Sequence, residues 1–128
     1  MRVLVCGGRN YNDKNKVYNT LYDLCDEFNL WSIPDEYGNK LPGPITIIHG
    51  KATGADTLAE DWAVVNWTGL EEYPADWATH GKAAGYLRNA KMLRDGKPDL
   101  VVAFPGGKGT ANMIKIAKEA GVPVREIS

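Results

Sequence analysis

Apolar residues arrive along this chain in two rhythms, short unbroken runs and stripes at helical spacing, and the two alternate. Arg2-Val3-Leu4-Val5-Cys6 is such a run, closed by Gly7-Gly8. A buried parallel strand feeding a tight turn reads this way. From Asp13 onward, Val17, Leu21, Leu24, Cys25 and Phe28 follow one another at spacings of four, three, one and three, the stripe of an amphipathic helix. Trp31 to Gly43 shows neither period and holds Pro34, Gly38 and Pro42. It is expected to be an irregular insertion that extends the rim of a ligand site or forms an interface.

The alternation then resumes. Ile45-Thr46-Ile47-Ile48 is a second strand, and His49 to Asp56 turns into a helix with Leu58, Ala59, Trp62, Ala63 and Val65 on one side. Gly69 to Tyr73 makes a weaker third strand, followed by a long loop from Pro74 to Gly85 and a helix over Tyr86 to Arg94. Asp99 to Phe104 is the strongest strand signal. Pro105 to Thr110 leads from it into a helix with Met113, Ile114, Ala117 and Ala120 inward, ended by Gly121 and Pro123. Val122 to Ile127 supplies a last strand. Five strands alternating with four helices predict an α/β fold, a Rossmann-like three-layer sandwich around a mostly parallel five-stranded sheet, with residues 1–128 forming one domain. Ligands of such a fold bind outside the carboxyl ends of the strands.

Composition narrows the functional classes. The hydrophobic share of 44% with 24% charged residues is that of a packed globular protein rather than a disordered chain. No apolar run approaches the ~20 residues a bilayer requires, and MRVLVCGG is too short and glycine-rich for a secretory signal, so a cytoplasmic protein without a membrane partner is expected. A formal net charge of −1 removes the basic face that duplex binding needs. No nucleic-acid partner is expected, and a groove for single strands is the third-ranked reading. Cys6 and Cys25 read as reduced, buried thiols, with catalytic use of Cys6 a minor alternative.

Chemistry concentrates in three glycine-rich segments, each directly after a predicted strand: Gly7-Gly8-Arg9, Gly50 to Gly54, and Gly106 to Gly109. Glycine admits a phosphate close to the backbone, and a helix that follows offers unpaired N–H groups and a partial positive charge. Tight turns alone would also use glycine; three at one sheet edge favour an anion site. Neither a Walker A lysine nor G-x-G-x-x-G is present, so the usual NTPase and dehydrogenase readings lose their support. Arg9 and Arg88 are candidate phosphate forks, Thr110 a helix cap that also reaches phosphate, Asp56 a ribose ligand or a dipole-favoured acid, and Trp77 a base platform or loop anchor. His49 and His80 lack cysteine or carboxylate partners at metal-ligand spacing, so no metal is expected, and no cofactor.

PGGKGT (Pro105 to Thr110) resembles the PGG-x-GT phosphate loop of the SLOG superfamily. GGR at the first turn, HG-x-x-x-GAD (His49 to Asp56), ADW-x-x-HG-x-AAG (Ala75 to Gly85), RN-x-x-M (Arg88 to Met92) and PDLVVAFPGG-x-GT (Pro98 to Thr110) extend it. Together they are similar to the YspA-like, YpsA-related SLOG proteins of bacteria and phages. The resemblance implies a Rossmann-like fold and a nucleotide or nucleotide-derived small-molecule ligand, on Gly7, Gly8, Arg9, Gly50, Gly54, Asp56, Arg88, Asn89, Pro105, Gly106, Gly107, Gly109 and Thr110. The leading expectation is a sensor or sequestering module, with homo-oligomerisation open.

A related branch, the LOG-type phosphoribohydrolases, has R-K-x-x-M and PGG-x-GT-x-EE. Here Asn89 replaces the lysine, and Asn112 and Met113 replace the acidic pair. An N-glycosidic hydrolase needs a carboxylate near the ribose, which an amide and a thioether cannot supply. A phosphoribohydrolase-like enzyme acting on nucleoside monophosphates therefore stands as the alternative, with Arg88, Asp56 and Asp76 its candidate catalytic residues.

Overall fold

The computed structural model describes residues 1–128. Five parallel strands form one sheet in the order β3-β2-β1-β4-β5: β1 (Arg2–Cys6), β2 (Thr46–His49), β3 (Gly69–Glu72), β4 (Leu100–Ala103) and β5 (Val124–Glu126). The sheet is wholly parallel, one step beyond the mostly parallel sheet expected. The helices are α1 (Lys14–Glu27), α2 (Ala55–Val65), α3 (Trp77–His80), α4 (Ala84–Gly96) and α5 (Lys108–Glu119).

Strand alternation assigns the two faces. Val3 and Val5 point with Ile47 and Val102 toward α1 and α2, in a cluster centred on the fully buried Trp62. Leu4 and Cys6 point the other way, with Ile48, Val101 and Ala103, toward Met92 of α4 and Met113 and Ala117 of α5. Because β1, β2 and β4 are covered on both sides, they read as largely continuous apolar runs, whereas the edge strand β3 does not. Each large side chain so buried contributes ~1.5–3 kcal/mol.

Four expectations are corrected. The segment expected as loop from Pro74 to Gly85 contains α3, a 3-10 turn over Gly81–Ala83 and the start of α4. Asp76 caps α3 by accepting from Thr79 N at 3.1 Å. Val65 and Phe28, expected inward, are 60% and 41% exposed, because each stands at the last residue or C-cap of its helix where the chain turns away from the sheet. Ala120 is exposed for the same reason at the end of α5.

The fourth correction concerns the insertion at Trp31 to Gly43. It joins α1 to β2, so it lies at the amino ends of the parallel strands and cannot rim a site at their carboxyl ends. Its base is anchored on α1, where Trp31 stacks on Tyr22 with ring centroids 6.1 Å apart and donates Nε1–H to Asp26 Oδ1 at 2.9 Å. No helix of the structure is long and apolar enough to cross a membrane.

Candidate functional site

The chain runs from β1 outward through β2 to β3, then crosses back to place β4 and β5 on the other side of β1. The β1–α1 and β4–α5 loops thus diverge over a crevice at the carboxyl ends of the strands, where doubly wound sheets hold ligands. A cavity of about 380 Å³ occupies this position. Of the residues named from sequence, Gly7, Gly8, Arg9, Asp56, Arg88, Asn89, Gly107, Gly109 and Thr110 line it, together with Trp77. A second hollow of about 270 Å³ adjoins it and holds Gly50. Gly54, Pro105 and Gly106 line neither.

The three glycine segments differ in what their backbone donors do. Gly8 N donates to Pro105 O at 2.9 Å, stitching the first loop to the third across the crevice. That accounts for Pro105, whose carbonyl is a strut. Gly106 allows the same close approach, since a Cβ there would lie 2.7 Å from Gly8 N. In the second segment, Gly50 N and Ala52 N both donate to Asp56 Oδ2, at 3.0 and 3.2 Å, and Lys51 N donates to His49 Nδ1 at 2.9 Å. The segment's own carboxylate fills the position expected for a phosphate. Gly54, at φ +76°, lies against the backbone of Gly8 and Arg9, where no side chain fits. The second segment is therefore a self-closed support rather than a cradle.

The third segment keeps an unbroken run of donors free. The N–H groups of Gly107, Lys108, Gly109 and Thr110 find no acceptor in the protein, as the first turn of a helix dictates, and all four residues line the cavity. Free N–H groups with a helix dipole behind them are the kind of donor set that favours an anion.

Arg88 stands opposite on α4, half-buried, with two of its donors committed: Nη1–H to Gly50 O, and Nε–H to Asn89 Oδ1 at 3.0 Å. Nη2 and the second N–H of Nη1 stay without a protein acceptor. Burial works first against its charge, and Asp56 restores part of it. Asn89, buried, passes the contact on by donating Nδ2–H to Gly109 O and to Asn112 Oδ1, each at 3.1 Å. Two of the three positions where the chain departs from the LOG pattern, 89 and 112, therefore touch each other. Asn112 is turned to Asn89 and does not line the cavity, and Met113 is fully buried in the core, where no carboxylate could reach a ligand.

Asp56 is the cavity's one carboxyl group. It is 5% exposed, its Oδ1 takes no hydrogen bond from the protein, and burial raises its pKa from 3.8 to about 6 against the pull of two backbone N–H bonds and of Arg88. A carboxyl so poised can carry or accept a proton near neutrality. Asp76, by contrast, is spent as the α3 cap and lies outside the cavity. Burial pushes the Cys6 thiol to about 12, which opposes a nucleophilic role although Cys6 lines the cavity.

The raised pKa of Asp56 has a consequence for stability. Its proton is held more tightly in the fold than in the unfolded chain, so its contribution is fully present below pH 3.8 and is lost as pH rises through about 6. A rise of this size corresponds to about 3 kcal/mol. Asp56→Asn keeps an oxygen for Gly50 and Ala52, so the stability of the variant minus that of wild type should climb by up to this amount between pH 4 and 7. A pH-independent difference, measured by denaturant unfolding, would show a solvated carboxylate instead.

Sequence reasoning missed Lys82, Tyr86 and Lys108, which also line the cavity. Lys82 and Lys108 sit inside the quoted motifs, but nothing in a motif says which side chain turns inward. The statement that His49 has no carboxylate partner is corrected too. Its Nε2 lies 3.8 Å from both Glu60 Oε1 and Glu72 Oε1, residues brought together by α2 and β3. Lys51 Nζ already bridges those carboxylates at 3.1 and 3.2 Å. With Nδ1 accepting from Lys51 N, the neutral ring carries its proton on Nε2, the tautomer opposite to the one a metal there requires.

Residues 1–80 match the profile of the YAcAr family, described as the YspA, cpYpsA-related SLOG family. The Gene 61 protein of Mycobacterium phage D29 is 36% identical over 133 residues, covering 96% of this chain and 93% of that protein. The profile match ends before Arg88 and the Pro105 to Thr110 loop; the phage protein's similarity extends across both.

Proposed function

From the chain's membership of the YspA, cpYpsA-related SLOG family, we propose that it binds a phosphorylated nucleotide or nucleotide-derived small molecule, as a sensor or sequestering module, with a phosphoryl group at the amino end of α5. The observation that carries this reading is the run of four unpaired backbone N–H groups from Gly107 to Thr110, opening into a cavity that also holds Arg88. Backbone donors and a helix terminus recognise the phosphoryl group whatever base it bears. Trp77, 48% exposed on the cavity wall, offers a ring for that base.

Thermal unfolding with the four common nucleoside 5′-monophosphates tests the proposal. A cognate ligand at ~100 times its dissociation constant adds about 2.7 kcal/mol. Arg88→Ala should weaken binding by roughly tenfold or more, and Arg88→Lys by less, since one charge-assisted bond is worth ~1.5–3 kcal/mol and lysine keeps the charge. Both variants also lose the tie to Asn89, so affinity, measured by titration calorimetry, is the quantity to compare. An affinity within about twofold of wild type in Arg88→Ala would place Arg88 in the framework alone.

A second reading, hydrolysis of an N-glycosidic bond, is favoured by one observation: Asp56 supplies a cavity carboxyl with a pKa of about 6 where the LOG-type acidic pair is missing.

A further inference from the structure

Arg9 stands where the two hollows meet. It lines both, as do Ala52, Trp77 and Arg88. Its guanidinium lies over the Trp77 ring, 5.0 Å from the centroid, and makes no hydrogen bond or ion pair within the protein; the residue's polar tie is its backbone carbonyl, which accepts from Thr53 Oγ1 at 3.0 Å. Arg88 Nη2 is likewise without a protein acceptor, Nη1 and Nε being tied to Gly50 and Asn89. Both residues line both hollows, so the two cations share one cleft and Arg9 works against the charge of Arg88. Like charges gathered in a cleft are unfavourable unless an anion answers them.

Charge balance points the same way. Arg9, Lys82, Arg88 and Lys108 line the main cavity against Asp56 alone. One phosphomonoester brings a charge of about −1.5 to −2, too little for this excess of cations. The α5 terminus can hold that first phosphoryl group, leaving the Arg9–Arg88 pair with the one buried carboxyl of Asp56 to answer it.

We propose that the ligand carries two phosphoryl groups in tandem, the first on the free N–H groups of α5 and the second between Arg9 and Arg88 at the mouth of the adjoining hollow. The inference rests on the reading of the cavity as a nucleotide site and narrows it from monophosphates to diphosphates. Arg9 positions the second group, with the Trp77 face holding its guanidinium in place by cation–π attraction. The adjoining hollow, lined by Lys51 and Thr53 and by no carboxylate, lies beyond that group.

Titration calorimetry at fixed ionic strength tests the assignment with phosphate, pyrophosphate, AMP and ADP as probes, the inorganic pair removing dependence on the base. Pyrophosphate should bind about tenfold or more tighter than phosphate, and ADP than AMP, the worth of one further charge-assisted bond. Arg9→Ala, an exposed position with no side-chain hydrogen bond, should erase most of that preference, lowering the affinity for the tandem probes about tenfold more than that for the single ones. Lys82→Ala removes a cation from the same cavity but not from the adjoining hollow, and should keep the preference. Equal affinities for the single and tandem probes, or equal loss of preference in the two variants, overturn the tandem assignment while AMP binding keeps the nucleotide reading. Failure of phosphate, AMP and ADP alike overturns both.

Discussion

Gly107→Val is expected to leave the protein folded and to weaken nucleotide binding by roughly a hundredfold or more, about 2.8 kcal/mol. The position is unusual among the site glycines. A Cβ at Gly107 would meet nothing within 4 Å and its φ is negative, so no steric contact in the fold demands glycine there. Neighbouring Gly106 is different: a Cβ there would run into Thr110 and Gly8 N, and a loss of binding on its substitution would be indistinguishable from a disturbed loop. At Gly107 the added side chain instead stands over the free N–H groups of Lys108, Gly109 and Thr110, in the space an anion needs. Thermal unfolding without ligand should move little, while stabilisation by nucleotide disappears. Unchanged stabilisation would mean that the phosphoryl group sits elsewhere in the cavity.

The contrast between Gly106 and Gly107 also marks how far the sequence could be read. The strand runs and helical stripes revealed the elements, because the inner strands of a sheet covered on both faces are apolar at nearly every position and its helices on one side only. The mostly parallel sheet followed from the βα alternation, while its strand order and the absence of any antiparallel pair did not. The three glycine segments likewise marked the carboxyl edge. What each segment does was not legible: a free donor, a donor spent on Asp56 and a donor spent on Pro105 O all look like glycine after a strand. Asp56 shows the same limit, since a carboxylate in the first turn of a helix reads as a dipole partner, and its bonds to Gly50 and Ala52 exist only once the loop has closed. Lys82, Tyr86 and the meeting of His49 with Glu60 and Glu72 depend on helix rotation and strand order, which no local pattern carries. The short helix at Trp77–His80 was missed because a single capped turn has no period to detect.

Incubation with purine and pyrimidine nucleoside monophosphates is expected to release little or no free base. The acidic pair of the LOG-type enzymes has no counterpart: Asn112 is held by the Asn89 amide outside the cavity, and Met113 is packed against the sheet. Losing a positioned general acid or base typically removes ~10²–10⁴ of rate, enough to turn a slow hydrolase into a binder. The one group able to overturn this is Asp56, whose free Oδ1 and pKa of about 6 would suit proton transfer near neutrality. Its Oδ2, however, is fixed by Gly50 N and Ala52 N, so the carboxyl closes the loop beneath the ligand whether or not it performs chemistry. Asp56→Asn separates the two roles, because the amide preserves an acceptor for those N–H groups and cannot serve as a base. If wild type releases base quickly, and the variant binds nucleotide as tightly but releases it ~10²–10⁴ times more slowly, the protein is a hydrolase with a relocated carboxylate. If neither releases base and both bind, Asp56 is a structural anion internal to the site, and its raised pKa reflects burial in a cavity built to hold a ligand.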